Sequence, residues 1–164
     1  MEIVKIVNEN YKAPSALENV INYVTNKEKT NGYIGGYGVN PCDPAQMILQ
    51  MEKVKEIFGK TNGFRQIRHF IVSFDPTWQV TADMARQIAY EIARFYMGRY
   101  QICFGVHLDK ENIHIHFVMN SESYVDGKLY SGALRDLFEL KQHVKNVLNR
   151  NIPALQITVE EFLS

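Results

Sequence analysis

Three of the chain's five histidines fall within ten residues, in the stretch His107–Leu108–Asp109–Lys110–Glu111–Asn112–Ile113–His114–Ile115–His116. Neutral imidazole is a metal ligand, so the cluster raises a question of geometry. On a strand, side chains alternate faces: His114, His116 and Asn120 point one way, and Ile113, Ile115, Phe117 and Met119 the other. A hairpin turning at Lys110 and Glu111 pairs 109 with 112, 108 with 113, 107 with 114 and 105 with 116. His107 then stands opposite His114, where Cβ atoms are about 4.5–5.5 Å apart. Three imidazole nitrogens can thus meet one divalent ion at about 2.1 Å each. Gly105, opposite His116, is expected to leave the space above that ion open. Three neutral ligands keep the cation's charge and leave coordination positions free, which suits a Lewis acid acting on a substrate oxygen. Asp109 is expected to accept the other ring N–H of a histidine and fix its tautomer. The competing reading is a solvated histidine-rich hairpin that holds no ion.

Elements must position these rings. Residues 2–7 are β-prone and end at the Asn8–Glu9–Asn10 cluster, a first strand. Ser15, with Glu18 three residues on, starts a helical pattern of Leu17, Val20, Ile21 and Val24, giving a helix over 15–27. Residues 29–44 are turn-rich, although Tyr33, Ile34 and Tyr37 lie among them. A second helix covers 44–58 and stops at Gly59. The run RHFIVSF at 68–74 is a strand ended by Asp75–Pro76. Thr81 caps a third helix that ends before Gly98; strands at 101–107 and 112–120 flank the polar turn, and a last helix covers 133–149. Adjacent late strands favour an α+β fold, an antiparallel sheet with helices packed mainly on one face.

Composition frames these elements. The 164 residues, 46% hydrophobic and 22% charged, make one domain with a real core, spanning 1–164. Eighteen Lys+Arg balance eighteen Asp+Glu, so nucleic-acid binding would have to rest on a local patch. Cys42 and Cys103 have neither metal nor redox spacing, as expected of reduced thiols, and no signal-like or membrane-spanning apolar run is visible. A soluble, cytoplasmic protein is the expectation.

The segment His107 to His116 resembles the H-x-D-x-x-x-x-H-x-H motif of relaxases, the mobilisation nucleases of conjugative and mobilisable elements. These belong to the histidine-hydrophobe-histidine endonucleases, the hydrophobe here being Ile115. Further matches follow the family's order over roughly residues 1–150: the Tyr-bearing segment ALENVINYVTNKEKT, the strand HFIVSF, the helix from Thr81, and the stretch after Asn120. The resemblance implies a palm-like relaxase fold. It also implies metal-dependent nicking of one DNA strand at an origin of transfer, through a tyrosine that becomes joined to the 5′ phosphate, and later rejoining. Mg2+ or Mn2+ is the implied ion, with Zn2+ or Ni2+ able to stand in for it in a crystal. Single-stranded DNA is the implied partner, with accessory mobilisation proteins. Relaxases usually continue into further regions, so a chain stopping at Ser164 is expected to be trimmed or a reduced mobilisation protein.

Nine tyrosines compete for the nucleophile. Tyr23 lies about 110–120° around its helix from the apolar stripe, free of the core, and at the place where the family carries its nucleophile. Tyr33 and Tyr37 are the runners-up, and a half-exposed packing tyrosine is the bland alternative. A phenol needs a base or a cation to become a good nucleophile at neutral pH. His69 and Ser73 share a strand face; His69 is a candidate to assist at the site or hold a phosphate, a structural histidine being the alternative. Lys27, Lys29, Arg65, Arg68 and Ser73 are the candidate DNA contacts, whereas Lys141, Lys145 and Arg150 on the last helix read as a solvated face. Two other functions compete. A rolling-circle replication initiator or single-strand transposase would usually place its tyrosine after the histidines, where only Tyr124 and Tyr130 stand. A non-catalytic metal- or DNA-binding module predicts a bound ion without a covalent adduct.

Overall fold

A computed structural model describes residues 2–152 and 155. Five antiparallel strands form one sheet: β1 (Val4–Val7), β2 (Ile34–Tyr37), β3 (Ile67–Ser73), β4 (Ile102–His107) and β5 (His114–Asn120), ordered β1-β3-β5-β4-β2. Five α-helices connect or cover them: α1 (Ala16–Val24), the single turn α2 (Lys27–Thr30), α3 (Pro44–Phe58), α4 (Ala82–Ala93) and α5 (Leu134–Asn151). The antiparallel α+β sheet expected from the sequence is borne out.

One face of the sheet carries Val72, Phe70, Ile115, Phe117, Phe104 and Val106 and buries them under α4 and α5, the larger core. Phe70 and Phe117 stack there with ring centroids 4.6 Å apart. The other face carries Ile67, Cys103 and Val118 beneath α1 and α3, through Leu17, Ile21, Val24, Met47 and Met51. This second helical layer covers only part of its face, and the histidines occupy the remainder.

Two local departures from expectation shape the site. Ser15 sits in the αR region and makes no side-chain cap bond, so α1 starts at Ala16 without the anticipated capping box. At the other end the helix breaks at Val24, because the Asn26 side chain accepts the Glu28 amide at 2.8 Å and starts α2 instead. The break leaves the Val24 carbonyl without its usual i+4 partner.

Strand β2 lies inside the stretch that reads as turns. Its glycines mimic a loop but serve packing: a Cβ on Gly35 would stand 2.4 Å from the Phe104 ring and 2.5 Å from the Tyr90 hydroxyl. Elsewhere the caps behave as their residue types dictate. Asp43 accepts the Ala45 and Gln46 amides at the start of α3, Gly59 ends it in the left-handed region at φ 69°, and Thr81 caps Met84. Helix α3 is tied to the end of β5 by a buried cation: Lys55 Nζ donates to the Gln66 carbonyl at 2.6 Å, Asn120 Oδ1 at 2.8 Å and Glu122 Oε2 at 2.5 Å. None of the helices among the described residues is long and apolar enough to cross a membrane.

Candidate active site

The β4–β5 register matches the expected hairpin: His107 opposes His114, and Gly105 opposes His116. Strand pairing on the other side sets Ser73 opposite His114 and Ile71 opposite His116, so His69, Ser73 and the three histidines share one face. One ring nitrogen from each of His107, His114 and His116 lies within 4.8 Å of the other two, so the three could hold a metal ion. Rings of His107 and His116 have centroids 4.1 Å apart, and His114 is 5.2 Å and 5.1 Å from them.

Hydrogen bonds dictate which nitrogen of each ring is available. His107 Nε2 donates to the Val24 carbonyl at 2.9 Å, the carbonyl released by the break after α1. His114 Nδ1 donates to the Asn112 carbonyl at 2.9 Å. Since carbonyls only accept, the free lone pairs are His107 Nδ1 and His114 Nε2. In the third ring Nδ1 is engaged, 2.9 Å from His69 Nε2, and His69 Nδ1 in turn is 3.0 Å from the Tyr11 hydroxyl. Among the described residues, buried His107 Nδ1 and His116 Nε2 have no hydrogen-bond partner. Two orphaned, converging ring nitrogens in a buried site are what metal ligands look like without their ion, so the donor set fits a divalent cation.

Burial also favours the neutral form of His69, His107 and His116, and a ligating imidazole must be neutral. It pushes the His69 pKa down to about 4, with the neighbouring His107 adding to the effect. The pKa of His116 is lowered further by burial and then by His107, His69 and His114, while His107 is lowered by burial against the opposing bond to Val24.

Tyr23 lies at the open side of this cluster. Its ring meets those of His107 and His116 edge-on, at centroid distances of 5.4 Å and 5.5 Å, and it stays 46% exposed. The Lys29 ammonium sits 5.5 Å from the Tyr23 ring centroid. Tyr33 and Tyr37 instead pack against the larger core, under Arg86 and against Tyr90 respectively. Tyr130 packs on Tyr96 and Tyr100, and Tyr124 is exposed in the following loop.

Several expectations are corrected. Asp109 reaches no histidine: the ring N–H groups already have other partners, and its carboxylate pairs with Lys29 Nζ at 3.1 Å. That ammonium holds the Asp109 carboxyl below its ordinary range. The room at Gly105 is not reserved for an ion, because a Cβ there would fall 1.9 Å from the Val24 carbonyl oxygen, which fills it. Arg68 alternates to the other face, where it donates to the Tyr130 carbonyl at 3.0 Å and lies over that ring. Arg65 donates to the Glu9 carbonyl, at the far end of β3 from Ser73. Lys29 remains beside Tyr23, and Lys27 is exposed on α2. No local spacing marks Tyr11 or the Val24 and Asn112 carbonyls, which meet the histidines through the backbone or through distant pairing.

The family described as "Relaxase: MobA/VirD2-like, nuclease domain" matches residues 23–151, most of the chain. The chain belongs to this relaxase family. The match begins at Tyr23 and includes all three clustered histidines. Among curated relaxase-family relatives, Protein rlx of Staphylococcus aureus is 29% identical over 132 residues, covering 76% of this chain and 41% of the relative. A second Staphylococcus aureus Protein rlx is 32% identical over 93 residues, covering 57% and 28%. The group II intron-interrupted relaxase LtrB of Lactococcus lactis subsp. cremoris is 26% identical over 138 residues, covering 70% and 24%. This relaxase domain thus spans less than half of the relatives it matches. No solved structure matches it significantly.

Proposed function

We propose that the chain nicks and rejoins one strand of DNA at an origin of transfer, with Tyr23 as nucleophile and a divalent ion, Mg2+ or Mn2+, held by His107, His114 and His116. The observation that carries this reading is the half-exposed Tyr23 ring set edge-on against two of the three clustered histidines. In the forward step the Tyr23 phenolic oxygen forms a bond to phosphorus as the bond from phosphorus to the 3′ oxygen breaks. The phenolic proton passes to solvent or a base, the departing oxygen takes a proton to become a 3′ hydroxyl, and the 5′ phosphate stays on tyrosine. Attack by a 3′ hydroxyl reverses the sequence and reseals the strand without an external energy source. A bound divalent cation would supply Lewis-acid polarisation of the scissile phosphate.

The residues around it have separate tasks. Lys29, fixed by Asp109, places positive charge beside the tyrosine that must lose a proton. Lys27, Lys29 and Ser73 are the groups available to hold the strand's phosphates. Rejoining, strand choice and transfer from a bacterial cell with accessory mobilisation proteins complete the proposal, in keeping with the relaxase relatives.

The test is incubation with Mn2+ or Mg2+ and single-stranded DNA from the element's own origin, followed by a denaturing gel. Wild type should yield a protein–DNA adduct and Tyr23→Phe none. An adduct that persists in Tyr23→Phe moves the nucleophile elsewhere. No adduct with any origin-derived strand favours a non-catalytic module. A tyrosine acting after the histidines, as in rolling-circle initiators or single-strand transposases, has no support from the packing of Tyr130 or the exposed Tyr124.

A further inference from the structure

The third histidine differs from the other two. Backbone carbonyls fix the tautomers of His107 and His114, but the Nδ1 of His116 faces another imidazole, His69 Nε2, at 2.9 Å. Either nitrogen can donate in that pair. The contact continues to Tyr11, whose hydroxyl is 3.0 Å from His69 Nδ1. Tyr11 precedes α1, and its carbonyl is itself held by the Gln66 amide at 2.8 Å, so the phenol is anchored beside β3.

The three side chains admit two proton arrangements. If Tyr11 donates to His69, the His69 Nε2–H donates to His116 Nδ1, and His116 then carries its proton on Nε2, aimed at the site. A nitrogen with a proton there cannot ligate. In the reverse arrangement His116 Nδ1–H donates to His69 Nε2, His69 Nδ1–H donates to the Tyr11 oxygen, and His116 Nε2 presents a lone pair beside His107 Nδ1 and His114 Nε2. Those two are already committed to lone pairs by their carbonyls, and His116 Nε2 is buried with no partner among the described residues.

We infer that Tyr11 and His69 are positioning residues that set the His116 tautomer, so that His116 Nε2 is available to a metal ion only when the proton chain runs from His116 through His69 to Tyr11. The inference rests on the metal reading of the three histidines. A neutral imidazole stands here where a carboxylate would do the same orienting work, and it orients His116 without adding negative charge beside the ion.

Two measurements on the whole chain test this. The first is Mn2+ affinity by calorimetry, without DNA. His69→Leu, which keeps bulk but removes the acceptor, should bind Mn2+ about 10–100-fold more weakly. His69→Gln, whose amide can accept at the Nε2 position, should recover most of that loss, and Tyr11→Phe should fall between wild type and His69→Leu. The second is the long-range 1H–15N spectrum of the Zn2+-loaded chain, which should show His69 protonated at Nδ1 and bare at Nε2. A merely structural His69 would leave Mn2+ affinity unchanged in a folded His69→Leu. That result overturns the inference, as do a His69 protonated at Nε2, wild-type affinity in Tyr11→Phe, or no Mn2+ binding by wild type. A wild-type chain that binds Mn2+ in this pattern but forms no DNA adduct leaves the positioning role standing and refutes the nicking function.

Discussion

The three clustered histidines are alike in type but not in how they are held, and this difference decides what each substitution does. His114→Ala removes a proposed ligand whose Nδ1 is satisfied by the nearby Asn112 carbonyl, so little of the surrounding packing depends on it. It should leave the melting temperature within a few degrees of wild type while metal stoichiometry falls, as read by elemental analysis after desalting. Undiminished stoichiometry would refute the ligand assignment. Protons compete with the metal and with the fold in the same direction. His69, His116 and His107 all have folded pKa values below the unfolded value of about 6.5, so the unfolded chain binds more protons below that pH. Their contribution to stability is therefore complete above about pH 6.5 and is lost as pH falls, for His69 until about pH 4. Melting curves of metal-free protein between pH 7.5 and 5, taken as rough limits set by these titrations, should slope downward, and His69→Gln should flatten the slope. That Tyr23 lies off the core, and that the H-x-H pair shares one face, were legible from helical and strand spacing. The Asp109 role was not, because a carboxylate near histidines in sequence turned instead to an ammonium eighty residues away.

At the scale of elements, the site depends on where α1 stops. Asn26 captures the Glu28 amide, and the freed Val24 carbonyl both orients His107 and fills the space beside Gly105. Gly105→Ala would drive a Cβ into that carbonyl and should destabilise the protein by about 3 kcal/mol, measured by urea unfolding, while weakening metal binding as His107 loses its partner. A stable, metal-competent Gly105→Ala would show that the helix end can move freely. Lys55 ties α3 to the other end of the same face. Its Nζ and Glu122 are both buried, so Lys55→Met should cost about 3–5 kcal/mol by leaving an uncompensated carboxylate, and adding Glu122→Leu should restore part of that. No recovery in the double variant would locate the loss in packing. Helices α3, α4 and α5 could be read from apolar periodicity and caps, but β2 was hidden because Gly35 and Gly36 signal a turn when their neighbours are unknown.

For the whole molecule, balanced charge limits what DNA affinity this chain can generate by itself. With Arg68 on the far face and Arg65 on the Glu9 carbonyl, Lys29 is the cation seen against Tyr23 among the described residues, and the exposed Lys27 on α2 is proposed to join it on the DNA strand. Binding of an origin-derived single strand, followed by fluorescence anisotropy, should show a log–log salt slope of about −1.4, two phosphates at about 0.7 each. Lys29→Ala should reduce the slope by about 0.7. A much steeper slope would point to a basic surface other than this one. The sequence by itself determined the α+β class, the β4–β5 register and the clustering of His107, His114 and His116 on one face, because alternation along a hairpin is local and a one-residue slip would bury the wrong face. Only the tertiary structure decided which ring nitrogens are free, what Asp109 and Gly105 do, and that Tyr11 and His69 stand behind His116. Apart from the local bond of His114 to Asn112, those features depend on contacts between segments 47 to 83 residues apart, whose meeting is set by packing across the sheet and leaves no mark in local spacing.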